Sequence, residues 1–202
     1  MTKTKPLVPA LALLLTVAAG SAAAHTGHET AGAVAGLAHP LALDHVLAMV
    51  AVGLWSAAAL PPSQRLRGPA AFVLAMLAGA SLGTTLGAQL RAPGIVEAGI
   101  AASVLVFGAL VAAPRLLPRG VGLALVAAAG ALHGLAHGAE LPAGGGFAGY
   151  AGGFVATTVL LHAAGLGLGR QLLALPARLS RGAQALLGGG LGAAGLALIA
   201  QL

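Results

Sequence analysis

The sequence predicts an all-α fold: a polytopic membrane helix bundle with six transmembrane helices after a cleavable signal peptide. Three observations carry that prediction. Of the 202 residues, 58% are hydrophobic and only 7% charged, where a soluble domain has about a quarter charged residues; mean hydropathy is +0.97. The apolar residues fall in runs of about 20, the length that crosses ~30 Å of hydrocarbon as a helix. The arginines stand singly or in pairs in the gaps between these runs. The net charge of +6 therefore reads as membrane topology, and no nucleic-acid partner is expected, because no basic face with interleaved aromatics exists. The absence of cysteine excludes disulfides, thiolate metal sites and a cysteine nucleophile.

The first element is "MTKTK", a positive start, followed by the apolar "PLVPALALLLTVAAG" and the small residues Ala22, Ala23 and Ala24. That order is a secretory signal with cleavage expected after Ala24, dividing the chain into residues 1–24 and a membrane domain at 25–202. Six apolar spans follow, at roughly 36–60, 69–90, 94–113, 120–141, 147–169 and 182–202. The breaks, "PPSQRLRGP", "RAPG", "PRLLPRG", "LPAGGG" and "LPARLSRG", are short and rich in Pro and Gly, so consecutive helices run antiparallel. Arg65, Arg67, Arg115, Arg119, Arg170, Arg178 and Arg181 fall in alternate loops, with Arg91 alone on the other side. This places the arginine loops in the cytoplasm and both mature termini outside, in a bacterial-type inner membrane. Glycine, at 32 residues, recurs every fourth position at Gly79, Gly83 and Gly87, at Gly130, Gly134 and Gly138, and at Gly188 and Gly192, a pattern that lets membrane helices approach closely.

Against this background the polar residues stand out. His133, His137 and Glu140, in "ALHGLAHGAELP", are spaced i, i+4, i+7 and share one helical stripe. Imidazole with carboxylate suits Zn, Ni, Co or Cu(II), whereas a Cys- or Met-rich set points to Cu(I). Packed, hydrogen-bonded histidine is the commoner explanation for a lone residue; two with a glutamate favour a metal. A second cluster, "AHPLALDHVLAMVAVGLW", sets His39 before Pro40, and Asp44 beside His45, with Met49 one turn on. Asp44 also suits a helix cap. In "GGFVATTVLLHAAGLGLG", Thr158 and His162 are i, i+4, and His162 lies ~20 Å along its span at 1.5 Å per residue. Ionisable groups so deep usually face the bundle interior and mark a pathway. For Thr158, and for Ser81, Thr85 and Gln89 in the second span, interhelical hydrogen bonding is the expected role.

Taken together, these three segments resemble the HupE/UreJ family, small membrane proteins associated with hydrogenase and urease gene clusters and regarded as nickel permeases. "HPLALDHVLAMVAVGLW" resembles the family's first-helix signature, "LHGLAHGAELP" its fourth-helix signature and "GFVATTVLLHAAGLGLG" its fifth-helix block. The resemblance implies a metal path through His39, Asp44, His45, His133, His137 and Glu140. One spacing departs from the pattern: "PLAL" puts four residues between His39 and Asp44, where the family usually has five including a glycine. On a continuous helix this turns His39 by about 100° relative to Asp44. His39 then reaches the site only if it precedes the helix.

The leading expectation is a secondary permease taking Ni²⁺ into the cytoplasm, with His162 added to the path for its depth. The ion is cargo, Co²⁺ and Zn²⁺ being possible substitutes for the same ligands, and no permanently bound cofactor is expected. A hydrogenase or urease maturation system is the expected acceptor. No GxxxxGK[ST] loop is present to use a nucleotide. The alternative is an accessory or sensor protein that binds metal without translocating it, for which the mature "HTGHE" end is a candidate tail. An enzyme is not expected: "GASLG" at 79–83 fits G-x-S-x-G, but a nucleophile elbow needs a strand-to-helix turn.

Overall fold

A computed structural model of the chain describes residues 33–90, 94–140 and 147–202. The expected signal peptide and the "HTGHE" end lie outside the described residues, as does Arg91. The described residues form seven helices and no strand: α1 (Ala33–Ala38), α2 (Leu43–Ala59), α3 (Arg67–Leu90), α4 (Ile95–Ala112), α5 (Arg119–Glu140), α6 (Phe147–Leu173) and α7 (Ala177–Ile199). Five helical stretches are long and apolar enough to cross a membrane, and α2, at 17 residues, is a shorter apolar helix.

Prolines and one glycine set the boundaries. Pro61 follows the C-cap Leu60 of α2, and Pro176 caps the start of α7 in an extended conformation; the pyrrolidine ring cannot continue a helix behind it. Gly94 precedes α4 with φ 88°, the left-handed region that glycine enters without steric cost. The first span departs from the continuous 36–60 reading. Pro40 nucleates a 3-10 turn at His39–Leu41, Ala42 turns extended (φ −58°, ψ 143°), and only then does α2 begin. The break lifts His39 off the α2 helix.

The helices associate as three pairs with backbones in contact. In the parallel pair α3–α5, a Cβ at Gly130, Gly134 or Gly138 would fall on the backbone of Phe72, Met76 or Ala80, and one at Gly79 on that of Ala131. In the parallel pair α2–α6, Gly165 meets Val50, and Gly53 meets the carbonyl of His162. In the antiparallel pair α4–α7, Gly108 and Gly188 meet each other's backbones, and Gly195 meets Leu105. These are the most extensive helix contacts in the bundle. In lipid such close approach replaces the hydrophobic effect as the source of association, through dispersion contacts. Helix α2 forms the centre, with nearly every residue from His45 to Ala57 buried, and Arg119 Nε donates to Ala59 O at its far end (3.1 Å).

Candidate functional site

The break before α2 turns His39 toward α5. His39 Nε2 lies 2.9 Å from His137 Nδ1, and His137 Nε2 lies 2.6 Å from His45 Nε2. His45 Nδ1 in turn reaches Asp44 Oδ1 at 2.7 Å, and the same oxygen accepts the His45 backbone N–H at 2.9 Å. Asp44, His45, His137 and His39 thus form one hydrogen-bonded chain across three elements. Protons are assigned from the acceptor-only end. The Asp44 carboxylate takes Nδ1–H of His45, leaving its Nε2 a lone pair that accepts Nε2–H of His137. His137 Nδ1 then accepts Nε2–H of His39, and the last free lone pair is His39 Nδ1. Asp44 is not the N-cap, which is Ala42, but, as its sequence position allows, it satisfies a free amide of the first turn by accepting the His45 backbone N–H. Its role is to orient His45, the carboxylate–imidazole arrangement that fixes ligating histidines in metalloproteins.

Two further histidines lie deeper. His133 is one turn below His137, with ring centroids 4.8 Å from His45 and 5.3 Å from Phe72. His162 lies 5.0 Å from the same Phe72 ring. Each donates Nδ1–H to the carbonyl four residues back, His133 to Ala129 O (2.9 Å) and His162 to Thr158 O (2.8 Å). Both rings are essentially inaccessible, at 0% and 2% exposure, and neither Nε2 has a partner. Nor has the Thr158 hydroxyl, so the interhelical bond expected of it is not made. Burial of an unpaired polar atom in hydrocarbon costs several kcal/mol on the order of its desolvation.

Of the seven residues singled out in the sequence, four (His39, Asp44, His45 and His137) meet in this hydrogen-bonded chain, and His133 and His162 lie further along the helices toward the arginine end. Glu140 ends α5, but its side chain lies outside what is described. Among the described residues, no three His, Asp or Glu side chains converge as a finished metal centre. The reason is local: His137 spends one nitrogen on each neighbour, so the three imidazoles form a line rather than a cup. An ion bound tetrahedrally at 2.0–2.1 Å to two imidazoles holds their nitrogens about 3.3 Å apart, so His45 Nε2 and His137 Nε2, at 2.6 Å, must part to admit one.

Aromatic walls went unnoticed in the sequence. Phe154 packs on His137 (4.7 Å) and His39 (6.0 Å), and Tyr150 on His39 (5.9 Å). The signal was available: the chain has four Phe, one Tyr and one Trp, and three of those six stand against the histidines. A cavity of about 280 Å³ between α3, α5 and α6 reaches His137, lined also by Met76, Ser81, Thr84, Tyr150 and Phe154. Ser81 and Thr85 were expected to bond between helices, but Ser81 donates to Leu77 O (3.0 Å) and Thr85 to Leu82 O (3.0 Å) in their own helix. The side chain of Gln89 lies outside what is described. Toward the arginine end the core is largely apolar, with Val52, Trp55, Phe107 and Val126 buried beside the unpartnered Ser56 hydroxyl and Trp55 Nε1.

Fold and site together define a multi-pass helical membrane protein with a histidine-lined interior. The profile of the HupE / UreJ protein family matches residues 12–198, and the chain is 41% identical over 173 residues to Protein HupE of Rhizobium leguminosarum bv. viciae, covering 83% of this chain and 88% of that one. The chain belongs to the HupE/UreJ family. No solved structure matches it.

Proposed function

We propose that this protein is a secondary permease that carries divalent nickel into the cytoplasm for hydrogenase or urease maturation. The observation that carries the reading is the imidazole chain from His39 through His137 to His45, ended by Asp44 and followed inward by two histidines with free lone pairs. Nickel rather than cobalt or zinc rests on the family, because imidazole and carboxylate bind all three. The cavity beside His137 is the entry. His39, Asp44, His45, His137 and Glu140 form the outer part of the path, and His133 and His162 continue it. The reading includes six spans after a cleaved signal, arginine loops in the cytoplasm and both termini outside.

Admission of an ion between His45 and His137 needs a change of tautomer. His45 Nε2 already offers a lone pair. His137 releases its Nε2 proton to water and takes one at Nδ1 from His39 Nε2, while His39 takes one from water at Nδ1, so one proton leaves, one enters, and the net charge of the histidines is unchanged. Both ring nitrogens that face the ion are then bases, and Asp44 balances part of the added charge. The apolar packing below His162 closes the path toward the arginine loops in this conformation. Release inward requires the α3–α5 pair, which carries His133 and His137, to move against the α2–α6 pair, which carries His45 and His162.

Only neutral imidazole ligates metal. Uptake is therefore expected to fall on acidification, as protons compete with the ion for the same nitrogen lone pairs. A radioactive-nickel uptake rate that does not fall at any acid pH at which the protein stays folded contradicts imidazole ligation. Ser81→Ala is expected to leave uptake within about two-fold of the parent, since its hydroxyl bonds only Leu77 O and exposed side-chain hydrogen bonds contribute little net free energy. Abolition of function by that change favours an enzyme.

A further inference from the structure

The histidine stripes of α5 and α2 run on, along each helix, into close contacts at the arginine end. Gly122, Val126, His133 and His137 share one stripe of α5, at i, i+4, i+11 and i+15, and Ser56 continues the stripe of His45, Met49 and Val52 on α2. There α2 engages the α3–α5 pair at three points. The Trp55 ring fills a notch at Gly122 of α5, where a Cβ would fall on the indole. The Ser56 hydroxyl fills a notch at Gly68, in the first turn of α3, where a Cβ would fall on Oγ. Arg119, the first residue of α5, donates Nε–H to Ala59 O (3.1 Å), one of the carbonyls that a helix end leaves without an intrahelical partner. Contact between the two pairs is otherwise sparse beside the contact within each. The kind of contact differs too. Within the pairs, glycines meet backbone, as Gly134 meets Met76 and Gly165 meets Val50; between them, at Gly122 and Gly68, glycines meet side chains. A side chain leaves a notch by changing rotamer, whereas packed backbones must separate as whole helices.

We propose that Trp55 and Ser56, seated in the Gly122 and Gly68 notches, form a releasable latch that holds the α2–α6 pair against the α3–α5 pair and seals the histidine stripes from the arginine end. That the sealed space is a metal path rests on the function proposed above; the latch rests on the packing. Trp55, the larger group, is the main seal. Polar groups oppose the closure: Trp55 Nε1, Ser56 Oγ and Arg65 Nε are all buried without a hydrogen-bond partner. Each carries a donor hydrogen that opening returns to water. Packing thus favours the closed arrangement and unmet hydrogen bonds favour the open one, a balance that suits an element exchanging between two states.

The chain has no cysteine, so one introduced thiol reports the seal. Val126→Cys places it on the α5 stripe, one turn from Gly122 toward His133, at a position with 0% exposure. In the full-length, detergent-purified protein, with monodispersity and helical circular dichroism as folding controls, labelling of this thiol by a charged methanethiosulfonate is expected to be slow, because a buried group reacts only through openings. Adding Trp55→Ala is expected to speed labelling about ten-fold or more. Gly122→Ala serves if Trp55→Ala misfolds: the new Cβ meets the indole and no backbone, so the ring must leave its notch. Trp55, the one tryptophan in the chain, then emits further to the red, with the same rise in labelling. Gly120→Ala, where nothing lies within 4 Å of the added Cβ, is expected to change neither. Labelling unchanged in the folded latch variants overturns the latch, and so does an equal rise in Gly120→Ala. Faster labelling in the latch variants, with no nickel carried by the parent in proteoliposomes, leaves the latch standing and overturns the permease reading instead.

Discussion

Nickel accumulation in cells expressing a His137→Ala variant is expected to fall to the level of cells without the protein. His137 bonds both His39 and His45. Its removal does three things at once: it takes away a proposed ligand, leaves His45 Nε2 without its donor in a buried setting, and disconnects His39 from Asp44. Asp44→Asn is the milder contrast. An amide at that position still accepts from His45 but cannot balance an ion's charge, and loss of such an orienting carboxylate costs about 10–100-fold in metal affinity or activity. The ordering is the informative part: His137→Ala below Asp44→Asn, with both expressed and folded. Uptake by His137→Ala equal to the parent contradicts the proposed path.

The largest expected effect on stability is at Gly134. A Cβ there would coincide with the carbonyl oxygen of Met76, and Gly138 and Gly130 have the same relation to Ala80 and Phe72. Overpacking a well-packed core costs about 1–3 kcal/mol and sometimes more; Gly134→Leu forces two whole backbones apart and lies at or above the upper end. The variant is expected to melt well below the parent in detergent and to lose nickel uptake, since His133 and His137 flank the separated contact. Gly190→Ala is the control. Nothing lies within 4 Å of a Cβ built at Gly190, and changes away from such features usually fall within about ±0.5 kcal/mol. Equal melting of the two variants contradicts the paired-helix account.

The extent of each long helix was legible because its causes are local. Runs of Leu, Ala, Val and Gly bounded by Pro and Arg place the element limits within a few residues of the span estimates. The break at His39–Leu41 was legible only as a condition. The four-residue gap to Asp44 would point His39 elsewhere on a continuous helix, and the 3-10 turn at Pro40 meets that condition. Which helices pair was not legible. A glycine repeat such as Gly130, Gly134 and Gly138 shows that a helix has a close neighbour, not that the neighbour is α3. The central place of His137 depends on that pairing, because it needs α5 beside the start of α2.

Ser81 and Thr85 bond within their own helix for a physical reason. Serine and threonine in a helix readily bond the carbonyl three or four residues back, as Ser81 and Thr85 do, so their spacing on a stripe says nothing about a neighbouring helix. Thr158 departs from that habit, with a buried hydroxyl that bonds neither its own helix nor another. The aromatic wall of Tyr150 and Phe154 comes from the first turns of α6, and its approach to His39 and His137 is again a matter of helix pairing.

The central claim is translocation, and radioactive-nickel uptake into sealed proteoliposomes containing only the purified protein tests it most directly. The account predicts saturable accumulation of nickel inside the vesicles, released by a nickel ionophore and absent when His133 and His137 are both alanine. Nickel held by the protein with none reaching the vesicle interior would contradict a permease and identify a membrane accessory protein that binds the metal for a partner.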